Sequence, residues 1–493
     1  MMTRPAPGVG EDFDRIRRRI GAIAAPVLFL LVLLAPVPGI DGSAQRLAAV
    51  MVLVITLWVT EVFPLAITAL AGPTLAVMLG VAPARAAFAP FADPLIFLFI
   101  GSFIIAQAIF VHRLNERIAY GVMSWRVIGA HPGRILVAYA CIAAFISAWM
   151  SNTATAAMLM PVGLSLLTFM ETEGNVDRRY GVALMLAMAY GCSMGGIATI
   201  VGTPPNVIAV GMLAEQAGVE ITFVDWVMFA GPIAVLMVGV LVAYLWLVGA
   251  RGLSEVPGAD RIIIERKRAL GPLGRAEKNV LGAFLIVVSL WIIPGVLSLV
   301  LGSDHPVSGA VTESIPISVA AIIGAVLLFI LPIDAERRST ITWNDAARID
   351  WGTVLLFGGG LALGQMTFDT GLAEAFGRGM TEAFGVSSLV SVTFVSALFA
   401  TLMSETMSNT AAANIAVPII ISISLASGVD PVPPVVAASL AASISVVFPV
   451  STPPNAIVYS SGKVPITQMV RHGLVMDLAA ITIIPTMVLL FLS

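Results

Sequence analysis

The sequence predicts an all-α polytopic membrane protein. Of its 493 residues, 58% are hydrophobic and only 11% are charged, whereas a soluble domain carries roughly 25% charged residues. A chain of this length with so few charges does not cover a water-facing surface, which excludes soluble enzymes, nucleic-acid binders and disordered scaffolds. The net charge of −3 also leaves no basic field for nucleic acid.

Eleven apolar runs are candidates for membrane spans, because a spanning helix needs about 20 largely apolar residues. The first is kept as a span, since too many spans follow for it to be only a signal peptide. The predicted spans are residues 21–37, 46–64, 65–82, 94–111, 181–212, 226–249, 279–301, 315–332, 352–368, 433–460 and 472–492. Two further apolar stretches, 135–170 and 387–427, are too long for one crossing, and each has a polar cluster near its middle.

The distribution of Lys and Arg predicts the orientation of the chain. If the N-terminus is cytoplasmic, all of the 26 basic residues except Arg46, Arg85 and Arg378 lie on the cytoplasmic side. This requires 135–170 to enter and leave on the cytoplasmic side and 387–427 to do so on the outer side. Both stretches are therefore predicted to be re-entrant hairpins. The protein is predicted to lie in the inner (cytoplasmic) membrane of the cell, with its C-terminus on the outer side.

An internal repeat relates the two halves of the chain. Five residues recur at an offset of 258: Gly101, Gln107, Phe110, Leu114 and Glu116 match Gly359, Gln365, Phe368, Leu372 and Glu374. The triplet Ser-Asn-Thr at 151–153 recurs at 408–410, and Thr-Pro-Pro-Asn at 203–206 recurs at 452–455. Each copy holds five spans and one hairpin, so the second copy is predicted to be inverted. Inverted repeats with interrupted helices are typical of secondary transporters, whose substrate site lies near the midplane.

The repeat divides the chain into four parts. Residues 1–44 form an N-terminal cytoplasmic segment with the first span, and residues 250–278 form a cytoplasmic linker. The first inverted repeat covers 45–249 and the second covers 279–493. We expect the spans 181–212 and 433–460 to be broken helices, because a Thr-Pro-Pro-Asn motif interrupts each of them.

The four polar interruptions predict a binding site. Irregular backbone inside a membrane must be buried in protein or line a wet cavity. Helices that restart at these points offer free N–H groups and a partial positive charge, which suit an anion. Serine, threonine and asparagine oxygens and unpaired carbonyls suit a cation such as Na⁺. The motifs contain no Lys, Arg or His, so an anion must depend on dipoles, hydroxyls, amides and bound cations.

At these motifs the chain resembles the divalent anion:sodium symporter family of di- and tricarboxylate transporters. The resemblance lies in residues 151–155 (SNTAT), 408–411 (SNTA), 202–206 (GTPPN), 451–455 (STPPN) and 58–65 (WVTEVFPL). It runs from about residue 45 to the C-terminus. It implies a homodimer with eleven spans and two hairpins, in which a scaffold part forms the dimer contact. It also implies that a transport part moves across the membrane as an elevator.

The resemblance also implies site residues. Substrate carboxylates would contact Ser151, Asn152, Thr153, Ser408, Asn409 and Thr410, and the rest of the substrate site would include Thr203 and Pro453 nearby. A first sodium site would use Ser147, Ser151, Asn152 and the Gly202 carbonyl. A second would use Ser404, Asn409 and the Ser451 carbonyl. Relatives often have threonine in place of Ser404 and alanine in place of Ser451; both changes keep an oxygen ligand.

We therefore expect sodium-coupled symport of C4-dicarboxylates such as succinate, malate or fumarate, with Na⁺ as coupling ion and no organic cofactor. A sodium-independent dicarboxylate or anion exchanger, a sulfate or citrate transporter, and a channel or ion antiporter stay open as alternatives. The chain has no nucleotide-binding Gly-x-x-x-x-Gly-Lys loop that would indicate an ATP-driven pump, and we do not expect an enzyme. Glu405 either shapes the second cation site, carries a proton or is a hydrogen-bonded packing residue, and Glu61 is expected to be structural.

Overall fold

The computed structural model describes residues 9–35, 40–172, 176–302, 305–384 and 388–492. These residues form α-helices and short connections, and their only strand-like pairing is an isolated bridge between Pro332 and Ser339. The predicted all-α class is therefore confirmed.

The first half of the described chain contains eleven α-helices. Their bounds are α1 Val9–Leu34, α2 Gly42–Thr60, α3 Leu65–Met78, α4 Ala84–Phe88, α5 Pro94–Val111, α6 Leu114–Met123, α7 Pro132–Ser147, α8 Asn152–Thr172, α9 Arg178–Gly196, α10 Pro204–Ala217 and α11 Phe223–Leu245. A 3₁₀ turn, Ala89–Ala92, precedes α5, and a π-helical turn, Trp246–Ala250, follows α11.

The second half contains twelve described α-helices. Their bounds are α12 Ala259–Ala269, α13 Arg275–Leu301, α14 Pro306–Ser314, α15 Ile317–Ile330, α16 Trp343–Ala346, α17 Trp351–Asp369, α18 Leu372–Phe384, α19 Leu389–Thr406, α20 Asn409–Ala426, α21 Val432–Ser443, α22 Pro453–Ser460 and α23 Ile466–Leu492. The succession of seven helices and the breaks between them from α17 to α23 follows that from α5 to α11.

Many of these helices are suited to a bilayer. Eight described spans are long and apolar enough to cross a membrane, and the pair α14 and α15, bent by 52°, makes a ninth candidate. The chain is thus a multi-pass membrane protein. Three of the eight (α8, α19 and α20) lie in the stretches predicted as hairpins. Because length and hydropathy do not separate a crossing from a re-entrant arm, the number of eleven spans stays a prediction.

The stretch 135–170 forms two packed helices joined by a short break. The Tyr139 hydroxyl on α7 donates a hydrogen bond to the Leu159 carbonyl on α8, at 2.6 Å. Beyond the outer ends of the two arms, the Ala130 carbonyl accepts from Val256 N at 3.0 Å, and the Phe169 ring lies against Gly258. Both outer ends therefore lie at the same short segment, with the break at the opposite end.

The two halves of the chain interlock around the breaks. The restarting helix α10 packs against α20 and α21 of the second half, and the restarting helix α22 packs against α8 and α9 of the first half. The hydroxyl of Ser439 on α21 donates to Asn206 Oδ1 on α10, at 3.4 Å. The hairpin arms and broken helices of both halves therefore form a single packed unit.

Candidate functional site

The first polar break lies between α7 and α8. The Ser151 hydroxyl accepts a hydrogen bond from Ala154 N, at 3.3 Å, so it caps the helix that restarts at Asn152. The Ser147 hydroxyl, on the last residue of α7, donates to Asn152 Oδ1 at 2.6 Å. Ser151 and Asn152 are half-buried and Thr153 is exposed. Polar oxygens from both arms therefore meet at this break.

The second polar break, between α19 and α20, has the same construction. The Ser408 hydroxyl accepts from Ala411 N at 3.2 Å, and Ser404 Oγ lies 2.9 Å from Asn409 Oδ1. Ser404 Oγ also lies 2.7 Å from the Ala442 carbonyl. One hydroxyl carries one proton, so it donates to only one of these two oxygens. Ser404 Oγ, Asn409 Oδ1 and the Ala442 carbonyl oxygen thus share a single proton, and a cation would stabilise such a group of oxygens.

The broken helices are tied by their asparagines in the same way. Asn206 Nδ2 lies 2.8 Å from the Thr199 carbonyl and 3.4 Å from that of Ile197. Asn455 Nδ2 lies 3.0 Å from the carbonyls of both Phe448 and Val446. These contacts repeat at the offset of 249 that relates the motifs in the sequence. Each asparagine therefore holds the preceding break in shape while the helix restarts beside it.

The restarting helices α10 and α22 each begin after an extended threonine. Thr203 has φ −148° and Thr452 has φ −137°, and each is followed by two prolines in the first helical turn. Neither threonine side chain caps its helix. The two prolines carry no N–H group, and in α10 the next one along the chain, Asn206 N, donates to the Thr203 carbonyl at 3.2 Å.

Three predicted ligands of the first sodium site lie around one point. A Cβ placed on Gly196, which precedes the first broken-helix interruption, would collide with Asn152 Oδ1. A Cβ on Gly202 would lie 3.0 Å from the Ala148 carbonyl at the end of the first hairpin arm. Together with the Ser147 contact, these approaches bring Ser147, Asn152 and Gly202 to the same junction of hairpin and broken helix.

The second predicted sodium site is assembled differently. Ser404 and Asn409 contact each other, and Asn409 Nδ2 donates to the Ser443 carbonyl at 3.3 Å. Ser451 instead uses its hydroxyl to donate to Glu405 Oε2, at 2.5 Å. The Ser451 carbonyl remains a predicted ligand.

Glu405 is hydrogen-bonded to the backbone of the second broken helix. Its carboxylate accepts from Val447 N at 3.0 Å and from Phe448 N at 3.3 Å, in addition to the Ser451 hydroxyl. Of the three roles that the sequence left open for Glu405, these contacts favour that of a hydrogen-bonded packing residue. In the first repeat, Ala148 occupies the matching position, and its carbonyl accepts from the Thr199 hydroxyl.

Asp477 was missed in the sequence, although an acidic residue inside the last apolar run was a usable signal. Its carboxylate accepts from Val446 N at 3.2 Å, beside the amides that Glu405 binds, and it is 5% exposed. Glu61 forms an ion pair with Arg17, at 2.8 Å, which agrees with a structural role.

The predicted substrate residues fall into two groups by helix packing. Ser151, Asn152, Thr153 and Pro453 lie at the starts of α8 and α22, which pack together; Thr203, Ser408, Asn409 and Thr410 lie at the starts of α10 and α20, which also pack together. Thr203 and Thr410 are buried, whereas Thr153 and Pro453 are exposed.

A cavity of about 830 Å³ lies beside the first break, between α7, α9 and α11. Its lining is almost entirely apolar, and Trp149 stacks there on Phe223 with ring centroids 6.3 Å apart. Such a lining does not suit a doubly charged anion. The polar breaks themselves are therefore the better candidates for an anion site.

Comparison with known proteins identifies the family. A family model described as the sodium:sulfate symporter transmembrane region matches residues 17–492. The chain belongs to the divalent anion:sodium symporter family. The resemblance seen in the sequence motifs is thereby confirmed.

The chain also matches individual known proteins over nearly its full length. The sodium-dependent dicarboxylate transporter SdcS of Staphylococcus aureus, in strains USA300 and NCTC 8325, is 32% identical over 475 residues, which cover 94% of this chain and 89% of the relative. The crystal structure of the Alcanivorax borkumensis YdaH transporter is similar in fold, with a TM-score of 0.56 and 14% identity. The match covers 97% of this chain and 96% of that one.

Proposed function

We propose that this protein is a secondary transporter that couples Na⁺ entry to the symport of C4-dicarboxylates such as succinate, malate or fumarate. The carrying observation is the serine–asparagine oxygen contact that occurs at both hairpin breaks, at 2.6 and 2.9 Å. The four motifs contain no basic side chain. A dianion held there therefore requires cations close by, and the sodium dependence and dicarboxylate substrate in the name of SdcS support this pairing.

The proposed roles follow from the polarity of each group. Na⁺ binds Ser147, Ser151, Asn152 and the Gly202 carbonyl in one site, and Ser404, Asn409 and the Ser451 carbonyl in the other. Each asparagine then gives its oxygen to the cation and its NH₂ group to a substrate carboxylate. The serines, threonines and restarting helices at the four breaks supply the remaining donors, with Pro453 as an apolar contact.

We also propose that the packed unit of hairpins and broken helices moves as the transport part of an elevator, within a homodimer held by the other helices. The support is that α10 and α22 each pack on the opposite half's hairpin arm. This interlocking makes independent motion of one half costly, because it would expose interface that both halves bury.

The proposed orientation places the N-terminus in the cytoplasm and the C-terminus outside, in the cytoplasmic membrane. Segments predicted to be cytoplasmic contact one another. Arg117 Nε lies 2.6 Å from Glu277 Oε1, and Lys463 Nζ lies 2.7 Å from Glu171 Oε2. These contacts support a common side for segments far apart in the chain.

The function is tested by reconstituting the protein in liposomes and following labelled succinate. We expect uptake that requires an inward sodium gradient and that unlabelled malate and fumarate inhibit. Uptake that ignores sodium and requires internal dicarboxylate would establish exchange instead. Stronger inhibition by sulfate or citrate than by malate would reassign the substrate, and sodium movement without any organic anion would indicate an antiporter.

The location of the site is tested with paired variants. Asn152→Ala and Asn409→Ala should each abolish sodium-dependent uptake while the protein stays folded. Ser404→Ala removes a polar contact to a charged species, worth about 1.5–3 kcal/mol, and should raise the sodium concentration for half-maximal uptake about 10–100-fold. The matched control is Ser424→Ala, on the far end of α20, because this buried hydroxyl has no hydrogen-bond partner among the described residues. Equal behaviour of the two serine variants would contradict the proposed second site.

A further inference from the structure

A second cavity, of about 920 Å³, lies outside the transport site. It is formed where α9 and α23 begin and where the π-helical turn after α11 ends. This position is at the ends of two candidate spans, Phe223–Ala250 and Ile466–Leu492, on the side predicted to be cytoplasmic. The cavity therefore opens at the level where lipid headgroups meet water. Its lining residues are Asp177, Arg178, Arg179, Val182, Ala183, Val248, Pro465, Thr467, Gln468, Arg471 and His472.

Three arginines give this cavity a positive rim. Arg178, Arg179 and Arg471 are exposed, and none of them forms an ion pair with another residue of the described chain. The carboxylate of Asp177 does not neutralise them by direct contact, because it accepts from the backbone N–H groups of Arg179 and Tyr180 at the start of α9. The rim is thus free to bind an anion.

Part of the cavity lining is apolar. Val248, in the π-helical turn, is 41% exposed, whereas Val182 and Ala183, one helical turn further along α9 than the arginines, are only 5% and 2% exposed. Guanidinium groups beside the exposed Val248 side chain match a molecule with an anionic head and a hydrocarbon body. A free phosphate or carboxylate ion would use the arginines but would leave Val248 without a partner.

We propose that this cavity binds the headgroup of an anionic phospholipid such as phosphatidylglycerol, with an acyl chain lying on Val248. Basic pockets between membrane helices on the cytoplasmic side suit such headgroups, and each basic residue near an anionic membrane contributes about 1 kcal/mol. This corresponds to about a fivefold preference per arginine, and to about a hundredfold for the three.

The test uses the full-length protein, purified and delipidated in neutral detergent, with lipid binding followed by native mass spectrometry. Phosphatidylglycerol should bind about a hundredfold more tightly than phosphatidylcholine. The preference should fall below about fivefold in the triple variant R178Q/R179Q/R471Q. It should persist in the matched control R251Q/R261Q/R268Q, which removes three exposed arginines from outside the cavity. Equal loss, or equal retention, in the two triple variants would overturn the proposal.

Two further experiments guard against misfolding of the triple variant and distinguish a lipid headgroup from a free anion. If the glutamine triple variant does not fold, Arg471→Gln alone should weaken phosphatidylglycerol binding about fivefold. The lysine triple variant R178K/R179K/R471K keeps the three positive charges and should retain phosphatidylglycerol binding. An unchanged affinity in Arg471→Gln would overturn the proposal. Inorganic phosphate at millimolar concentration should not displace the lipid. Displacement by phosphate alone would show a site for free anions and would also overturn the lipid assignment.

Discussion

Replacing Glu405 with glutamine separates the roles that an acidic residue inside the membrane can have. In the structure both carboxylate oxygens are occupied: Oε1 accepts from Val447 N at 3.0 Å, and Oε2 accepts from Phe448 N at 3.3 Å and from the Ser451 hydroxyl at 2.5 Å. A glutamine keeps only one acceptor oxygen. If that oxygen takes the position of Oε2, the new NH₂ group faces the Val447 N–H group, and two donors then oppose each other.

The cost follows from these contacts. A hydrogen bond to a charged group contributes about 1.5–3 kcal/mol. Glu405→Gln loses one such bond outright and converts the other two to weaker, neutral bonds. Because Glu405 is 8% exposed, water does not replace the lost partner. We expect the variant to be destabilised by about 2–4 kcal/mol. We also expect it to need a higher sodium concentration for uptake. The backbone at 447–448, which Glu405 holds in place, leads to Ser451, and the Ser451 carbonyl is a proposed ligand of the second cation site.

The assay compares thermal unfolding, followed by tryptophan fluorescence, with sodium-dependent succinate uptake at several pH values. Glu171→Gln is the matched control, because its ion pair with Lys463 is partly exposed and such pairs contribute about 0–1 kcal/mol. A Glu405→Gln variant that is as stable as the control, but whose uptake no longer depends on pH, would refute this reasoning and establish a proton carrier.

Other substitutions test neighbouring contacts. Asn455→Ala removes the amide donor of the buried Val446 carbonyl at about 1–3 kcal/mol, whereas the Phe448 carbonyl still accepts from Ser451 N at 3.2 Å. The unfolding temperature should fall and uptake should be lost; normal uptake would contradict the role of Asn455 in holding the break in shape. Gly196→Ala should abolish sodium-dependent uptake, because its Cβ collides with Asn152 Oδ1; Gly121→Ala, with open space around it, should leave uptake unchanged. Tyr139→Phe should cost about 1 kcal/mol in thermal unfolding without altering sodium dependence, and a shifted sodium dependence would place this residue in the site.

The described helices show why some features were predictable. The breaks at Ser151 and Ser408 were located because serine and asparagine inside an apolar run interrupt the helix and cap the next one. The prolines after Thr203 and Thr452 restart a helix for an equally local reason. In each case the cause lies within a few residues of the feature, so no knowledge of the packing was needed.

Contacts between helices that are distant in the chain were not predictable in the same way. Ser404 was assigned through resemblance, but its approach to the Ala442 carbonyl depends on how α19 packs against α21. Asp477 stands out as an acidic residue in an apolar run, but its partner amide, Val446 N, lies 31 residues earlier in the chain. No periodicity relates such positions, because the separation along the chain is set by helix lengths and connections and not by the contact itself.

The sequence by itself determined the membrane class, the two-fold repetition of the chain and the positions of its four polar breaks, because hydropathy, proline geometry and helix capping act over a single turn or span. Only the tertiary structure decided that Glu405 holds the backbone at 447–448, that α10 and α22 pack on the opposite hairpins, and that Arg178 and Arg471 face one cavity. These pairings join residues that are distant in the chain, and burial and packing among many helices at once select them.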